Sequence, residues 1–126
     1  MHFLEPLLKR SADKPTLSVE GRDAPLAITV ETAFDSASRK KGLLGRDGLA
    51  EDTAFVIAPC SAVHTFAMQF PIDVIFARRD GRIVKIRSAM PASRVSAAIS
   101  AFAVVEMAAG SIERAGVRVG DRLVVR

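Results

Sequence analysis

Apolar and polar positions alternate along most of this chain, and short strands account for the pattern. Leu17-Ser18-Val19 and Leu26-Ala27-Ile28-Thr29-Val30-Glu31-Thr32 run with period two on either side of a turn at residues 21–25. This predicts a hairpin with Leu26, Ile28 and Val30 facing inward. Asp35 or Ser36 is placed to cap a short helix through Ser38, Arg39, Lys40 and Lys41 that ends at Gly42 or Gly45. Its basic residues are expected on the surface, with Leu43 and Leu44 as its core anchors. Ala54-Phe55-Val56-Ile57-Ala58 is an unbroken apolar run stopped by Pro59, the signature of a buried strand. Residues 63–68, β-branched and aromatic and ending before Pro71, also read as a strand.

The clearest hairpin lies around Asp80-Gly81, flanked by residues 72–77 and 82–87. Ile72, Val74 and Phe76 share one face, with Val84 and Ile86 as expected partners, and Asp73 falls on the other face beside Ile75. A looser segment follows Pro91, residues 102–108 form another strand, and residues 111–115 make one helical turn. Gly120-Asp121 turns the chain into a last strand, Leu123-Val124-Val125. Eight short strands with one or two short helices predict a mainly β (α+β) domain, built as a small rolled sheet or β-barrel.

Length and composition narrow the picture. A chain of 126 residues and 13.5 kDa has room for a single core, expected over residues 16–126, with residues 1–15 as a loose N-terminal arm, or a docked one, outside that core. Residues 1–10 carry Glu5 and Pro6 where a secretory signal needs an unbroken apolar run, so a cytoplasmic location is expected. No apolar stretch approaches the roughly 20 residues of a bilayer-spanning helix. One cysteine excludes an internal disulfide and any multi-cysteine zinc cage. The net charge is +4, and residues 78–94 alone carry +5, six basic side chains against Asp80. Such a ribbon can attract phosphates, yet the chain has no Trp or Tyr to stack bases, which weighs against nucleic acid.

Candidate chemistry is sparse. Cys60-x3-His64-x3-Met68 brings together the soft ligand types of copper sites. On a strand, however, four residues span roughly 13 Å, too far for side chains that must each reach within about 2 Å of one ion. No metal and no cofactor is therefore expected. The same distance argument weakens Cys60 and His64 as a nucleophile and base, which need about 3 Å between reacting atoms. The glycine-dense stretch 42–48 lacks the lysine and hydroxyl residue of a phosphate loop and reads as a helix stop followed by a turn. Asp73 and Glu106 stand out because their neighbours are apolar, so each must find a partner or change its pKa. Two outcomes stay open: structural bonds to Arg46 or to backbone amides, or a polar cluster shared with His64.

The order of motifs resembles the bacterial and archaeal domain-of-unknown-function family 192 from Leu26 to Val125. The resemblance rests on Arg39-x2-Gly42-Leu43-Leu44-Gly45-Arg46, on Phe55, and on His64-Thr65-Phe66-Ala67-Met68-Gln69-Phe70-Pro71-Ile72-Asp73-Val74-Ile75-Phe76. It continues through Gly81-Arg82-Ile83-Val84, Pro91, Val105-Glu106-Met107-Ala108-Ala109-Gly110 and Gly120-Asp121. The family pattern often has Trp-Met-Lys-Asn-Thr where this chain has Phe66-Ala67-Met68-Gln69-Phe70. The resemblance implies a compact β-rich fold with a short helix and no established activity. Arg46, His64, Met68, Asp73 and Glu106 match its motif positions. The expected function is a small-molecule or peptide binding module with a pocket around His64, drawing on Arg46, Cys60, Met68, Asp73 and Glu106. A hydrolytic or thiol enzyme using Cys60 and His64, and an interaction surface on the basic hairpin 78–94, are the alternatives.

Overall fold

The computed structural model describes residues 1–8 and 14–126. Five strands form the central sheet: β2 (Thr29–Ala33), β3 (Thr53–Ile57), β5 (Ile72–Ala77), β6 (Ile83–Met90) and β8 (Ala103–Ala108), in the order β2-β3-β8-β5-β6. The β2–β3 pair is parallel, and the others are antiparallel. Two-stranded ribbons add β1 (Leu17–Val19) with β9 (Leu123–Val125), and β4 (Ala62–His64) with β7 (Val95–Ala97). Three short helices, α1 (Glu5–Leu8), α2 (Ser36–Lys41) and α3 (Ser111–Ala115), complete the described elements. The domain is mainly β, as the alternation predicts, and its sheets are not closed into a barrel. No helix among the described residues is long and apolar enough to cross a membrane.

The three inner strands are apolar on both sides because both sides are covered. Ala54, Val56, Ile75, Val105 and Met107 project into one cluster, closed by Leu4 just before α1, by Leu17 and Leu123 of the β1–β9 ribbon and by Ile112 of α3. Phe55, Ile57, Ile72, Val74, Phe76 and Val104 project into the other, closed by Leu43 after α2 and Val63 of β4. Period-two alternation then assigns the acids. Asp73 falls on the first face and Glu106 on the second, so the sheet separates them.

Four local expectations change. The hairpin predicted around residues 21–25 is reduced to an isolated Leu17–Ala27 bridge, because β1 pairs with β9 and β2 joins the sheet edge beside β3. Ala27 is consequently buried, while Ile28 is 55% exposed. In β6, Val84 packs on the second face and Ile86 on the first, since a register shift opposite Phe76 and Ala77 inserts one residue between them. The segment after Pro91 contains a short strand, β7, which its composition does not announce. At the N-terminus the arm is docked, the Phe3 amide donating to the Arg79 carbonyl at 2.8 Å, and it enters the core rather than lying outside it as expected, since Leu4 is fully buried in the first cluster. Residues 9–13 lie outside the described part. Gly81 shows why the Asp80-Gly81 turn is so specific. Its φ is +89°, and a Cβ there would sit 2.2 Å from the Leu123 carbonyl oxygen, where β9 crosses.

Candidate functional site

A cavity of about 90 Å³ opens on the second face, between the end of α2, β4 and the middle of β8. α2 forms because Asp35 caps it, its carboxylate accepting the Ser38 amide at 2.7 Å, and Gly42 stops it at φ +51°. That carboxylate is held below its usual range chiefly by the backbone bond from Ser38. The last turn of the helix therefore carries Arg39, Lys40 and Lys41 to the rim of the cavity, with Leu43 and Leu44 beneath them.

The opposite wall is β4 and the turn after it. Residues 63–68 are not one extended strand. The strand ends at His64, Ala67 takes a left-handed φ of +63°, and the Met68 amide donates back to the Thr65 carbonyl at 3.2 Å. Fully buried Thr65 holds this turn. Its hydroxyl donates to the Pro91 carbonyl at 2.6 Å and accepts the Arg94 amide at 2.9 Å. These side-chain bonds add to the backbone pair beside them, in which the Thr65 amide donates to the Arg94 carbonyl at 2.8 Å and the Thr65 carbonyl accepts the Ser93 amide at 3.0 Å. Met68 is thereby folded back, and it lines the same cavity as Cys60 and His64.

Each of these groups has a definable state. The Cys60 thiol donates to the Ala62 carbonyl at 3.1 Å, and burial pushes its pKa up, with the Glu106 charge adding to the rise. His64 is exposed and stacks on Phe66 with ring centroids 5.3 Å apart. Among the described residues, no three His, Cys, Asp or Glu side chains converge closely enough to hold a metal ion.

Glu106 is the unusual member. It is 5% exposed, lines the cavity, and lies between its cross-strand neighbours Phe55 and Val74. Burial pushes its carboxyl up to about 7, and no compensating hydrogen bond or charge comes from the described residues. A buried carboxyl without a protein partner is costly to ionise, and such groups cluster where a protein binds or reacts with something.

The remaining sequence candidates lie elsewhere. Asp73 is fully buried on the first face, where its two oxygens accept the amides of Ala89 (2.7 Å) and Ile112 (2.9 Å). It ties β6 to the first turn of α3, the backbone-amide outcome left open above. Arg46 grips Glu31 through two bonds of 3.1 and 2.8 Å and sits 5.3 Å over the Phe55 ring, in a separate groove. The Glu31 carboxyl is lowered, chiefly by its hydrogen bond from Arg46. The basic hairpin is not one free face. Arg79 lies 4.4 Å over the Phe102 ring, Arg82 donates to the Gly120 carbonyl, and Lys85 donates to the Ala97 carbonyl at 2.8 Å. The cavity thus unites Cys60, His64, Met68 and Glu106 and leaves out Arg46 and Asp73. The rim residues Arg39, Lys40 and Lys41 escape a sequence reading because a basic last helical turn is ordinary dipole complementation. Their run of three directly before Gly42 is the only local signal.

These features define a small open β domain with a side-chain-sized cavity over a buried acid. The chain belongs to the uncharacterised family DUF192 (Uncharacterized ACR), which matches residues 17–125. A solved protein of unknown function from Novosphingobium aromaticivorans shares the fold, with a TM-score of 0.75 and 24% identity over 86% of this chain and 82% of that one. A Sinorhizobium meliloti structure called a "putative transcription regulator" superposes with a TM-score of 0.77 and 28% identity, over 87% of this chain and 92% of that one. No curated protein matches the chain.

Proposed function

We propose that this domain is a binding module that takes a small molecule, or one group of a peptide, into the cavity beside His64. The single observation that carries the reading is Glu106, a buried carboxyl that lines a solvent-reaching cavity and has no hydrogen-bond partner among the described residues. A ligand that bonds this carboxyl removes a penalty the free domain bears. Whole-ligand sites usually span about 300–1,000 Å³. A cavity of about 90 Å³ suits a compound of a few heavy atoms, or the end of a longer one.

Catalysis by the thiol has weaker support. A reactive cysteine needs its thiolate, whereas burial and the Glu106 charge hold the Cys60 proton on. A phosphate-binding role for the basic hairpin is also weakly supported, since Arg82 and Lys85 are engaged with carbonyl oxygens. The name carried by the Sinorhizobium protein describes that protein; for this chain it fits a ligand-sensing role better than base stacking, because Trp and Tyr are absent.

The test is a thermal-shift screen of the full chain against a metabolite and short-peptide library, repeated with Ala62→Phe, which places a ring at an exposed position on the cavity wall. A ligand at about 100 times its Kd adds roughly 2.7 kcal/mol, or a Tm rise of about 10 °C for a domain of this length. Compounds that stabilise the natural chain and lose their effect in Ala62→Phe support the reading. No stabilising compound, or hits indifferent to Ala62→Phe, would overturn it.

A further inference from the structure

We infer that the cavity recognises a small zwitterion, an ammonium group placed on Glu106 with a carboxylate or phosphate held by Lys40 and Lys41. The inference rests on the binding reading above and gives it a ligand chemistry. Its basis is the placement of charge around one half-open cavity. The walls beside Glu106 are apolar, formed by Leu43, Ile57 and Val63. Among the described residues that line the cavity Glu106 is the only acid, and the three basic side chains stand at the end of one helix, where Arg39 donates to the Phe34 carbonyl at 2.8 Å and Lys40 and Lys41 are exposed. The other polar groups facing Glu106 are the Cys60 thiol and the His64 ring, from the chain after β3 and from β4, and its β3 and β5 neighbours are apolar. Among the described residues, Lys40 and Lys41 take part in none of the ion pairs.

Simple ions do not satisfy this arrangement. A plain amine reaches Glu106 only past three positive charges that it leaves unanswered. A plain carboxylate meets the rim but gives Glu106 no partner unless the acid first takes up a proton. A molecule with both charges satisfies the floor and the rim together, and a charge-assisted N–H···O bond is the strongest that a buried carboxylate can accept without a metal. The space admits little beyond the ammonium end and a short carbon skeleton. Free amino acids and aminoalkyl phosphates both have this chemistry, and the panel below separates them.

Titration calorimetry on the full chain tests the idea with glycine, alanine, β-alanine, γ-aminobutyrate and phosphoethanolamine, against propylamine and propionate as single-charge controls. At least one zwitterion should bind ten-fold or more tightly than either control. Because the ammonium needs the ionised form of Glu106, apparent affinity should fall about 30-fold from pH 8 to pH 5.5. Glu106→Gln should abolish that pH dependence and weaken binding. Lys40→Ala combined with Lys41→Ala, both at exposed positions, should weaken the zwitterion while propylamine, relieved of two repelling charges, binds more tightly. Thermal melts confirm that each variant folds. Propionate binding that tightens as pH falls, or propylamine binding equal to the best zwitterion, overturns the inference. So does a panel that fails while an uncharged library compound binds at Ala62, and in that case the binding reading survives. If no compound of either set binds, both fail.

Discussion

Replacing Glu106 by Gln should make this protein more stable, and only above the pH at which its carboxyl ionises. The side chain is 5% exposed, and burial raises its pKa from 4.5 to about 7. The sign follows from linkage. The native state holds this proton more tightly than the unfolded chain does, so the unfolding free energy falls as pH rises from about 4.5 through about 7 and then levels off. At about 1.4 kcal/mol per pKa unit, the ionised acid costs the fold about 3 kcal/mol above neutrality. Gln has nearly the same shape and no charge. Near pH 4 the comparison is between two neutral side chains, and the variant and natural chain should be close in stability. Between pH 5 and pH 8 the gap should widen in favour of the variant by about 2–3 kcal/mol, a Tm difference of roughly 10 °C. Urea unfolding at half-unit pH steps measures it. Other groups titrate in both proteins and cancel from the difference. A gap that stays constant from pH 5 to pH 8 would refute the claim that Glu106 is buried without a partner.

Two further substitutions test the framework that places the cavity. Asp73→Ala deletes the acceptor of two backbone amides on the opposite face and should cost about 3–5 kcal/mol, read from the urea midpoint. A loss under 1 kcal/mol would show that β6 and α3 do not depend on it. Thr65→Val keeps the shape of the turn while removing the bonds to Pro91 and Arg94, at a cost of about 2–3 kcal/mol. Hydrogen exchange should quicken at residues 64–68 and 93–95 before it does so in the central sheet, and unchanged protection there would count against the pinning role given to Thr65.

The central strands were readable from local pattern because their burial is two-sided and continuous. Residues 53–57, 72–77 and 103–108 are apolar apart from Thr53, Asp73 and Glu106, and the Asp80-Gly81 pair announces its turn from two adjacent residues. The α2 cap and stop were equally visible, since Asp35 and Gly42 act within a few residues of themselves. Where the expectation failed, a distant partner decided. The strand at 17–19 alternates correctly whichever strand it joins, and its actual partner lies at the other end of the chain. The break at His64 depends on Thr65 meeting Pro91 and Arg94, some 26–29 residues away.

The candidate site divides in the same way. Residue types and alternation alone marked Cys60, His64, Met68, Asp73 and Glu106 as chemically unusual, and placed Glu106 among apolar neighbours. Only the packing of β8 between β3 and β5 put the two acids on opposite sides of a sheet, one bonded by amides and the other bare. Local sequence governs which side chains share a face of an unbroken strand, because the backbone repeats every two residues. What faces that side chain is set by strands brought together from far along the chain, and no short-range periodicity carries that information.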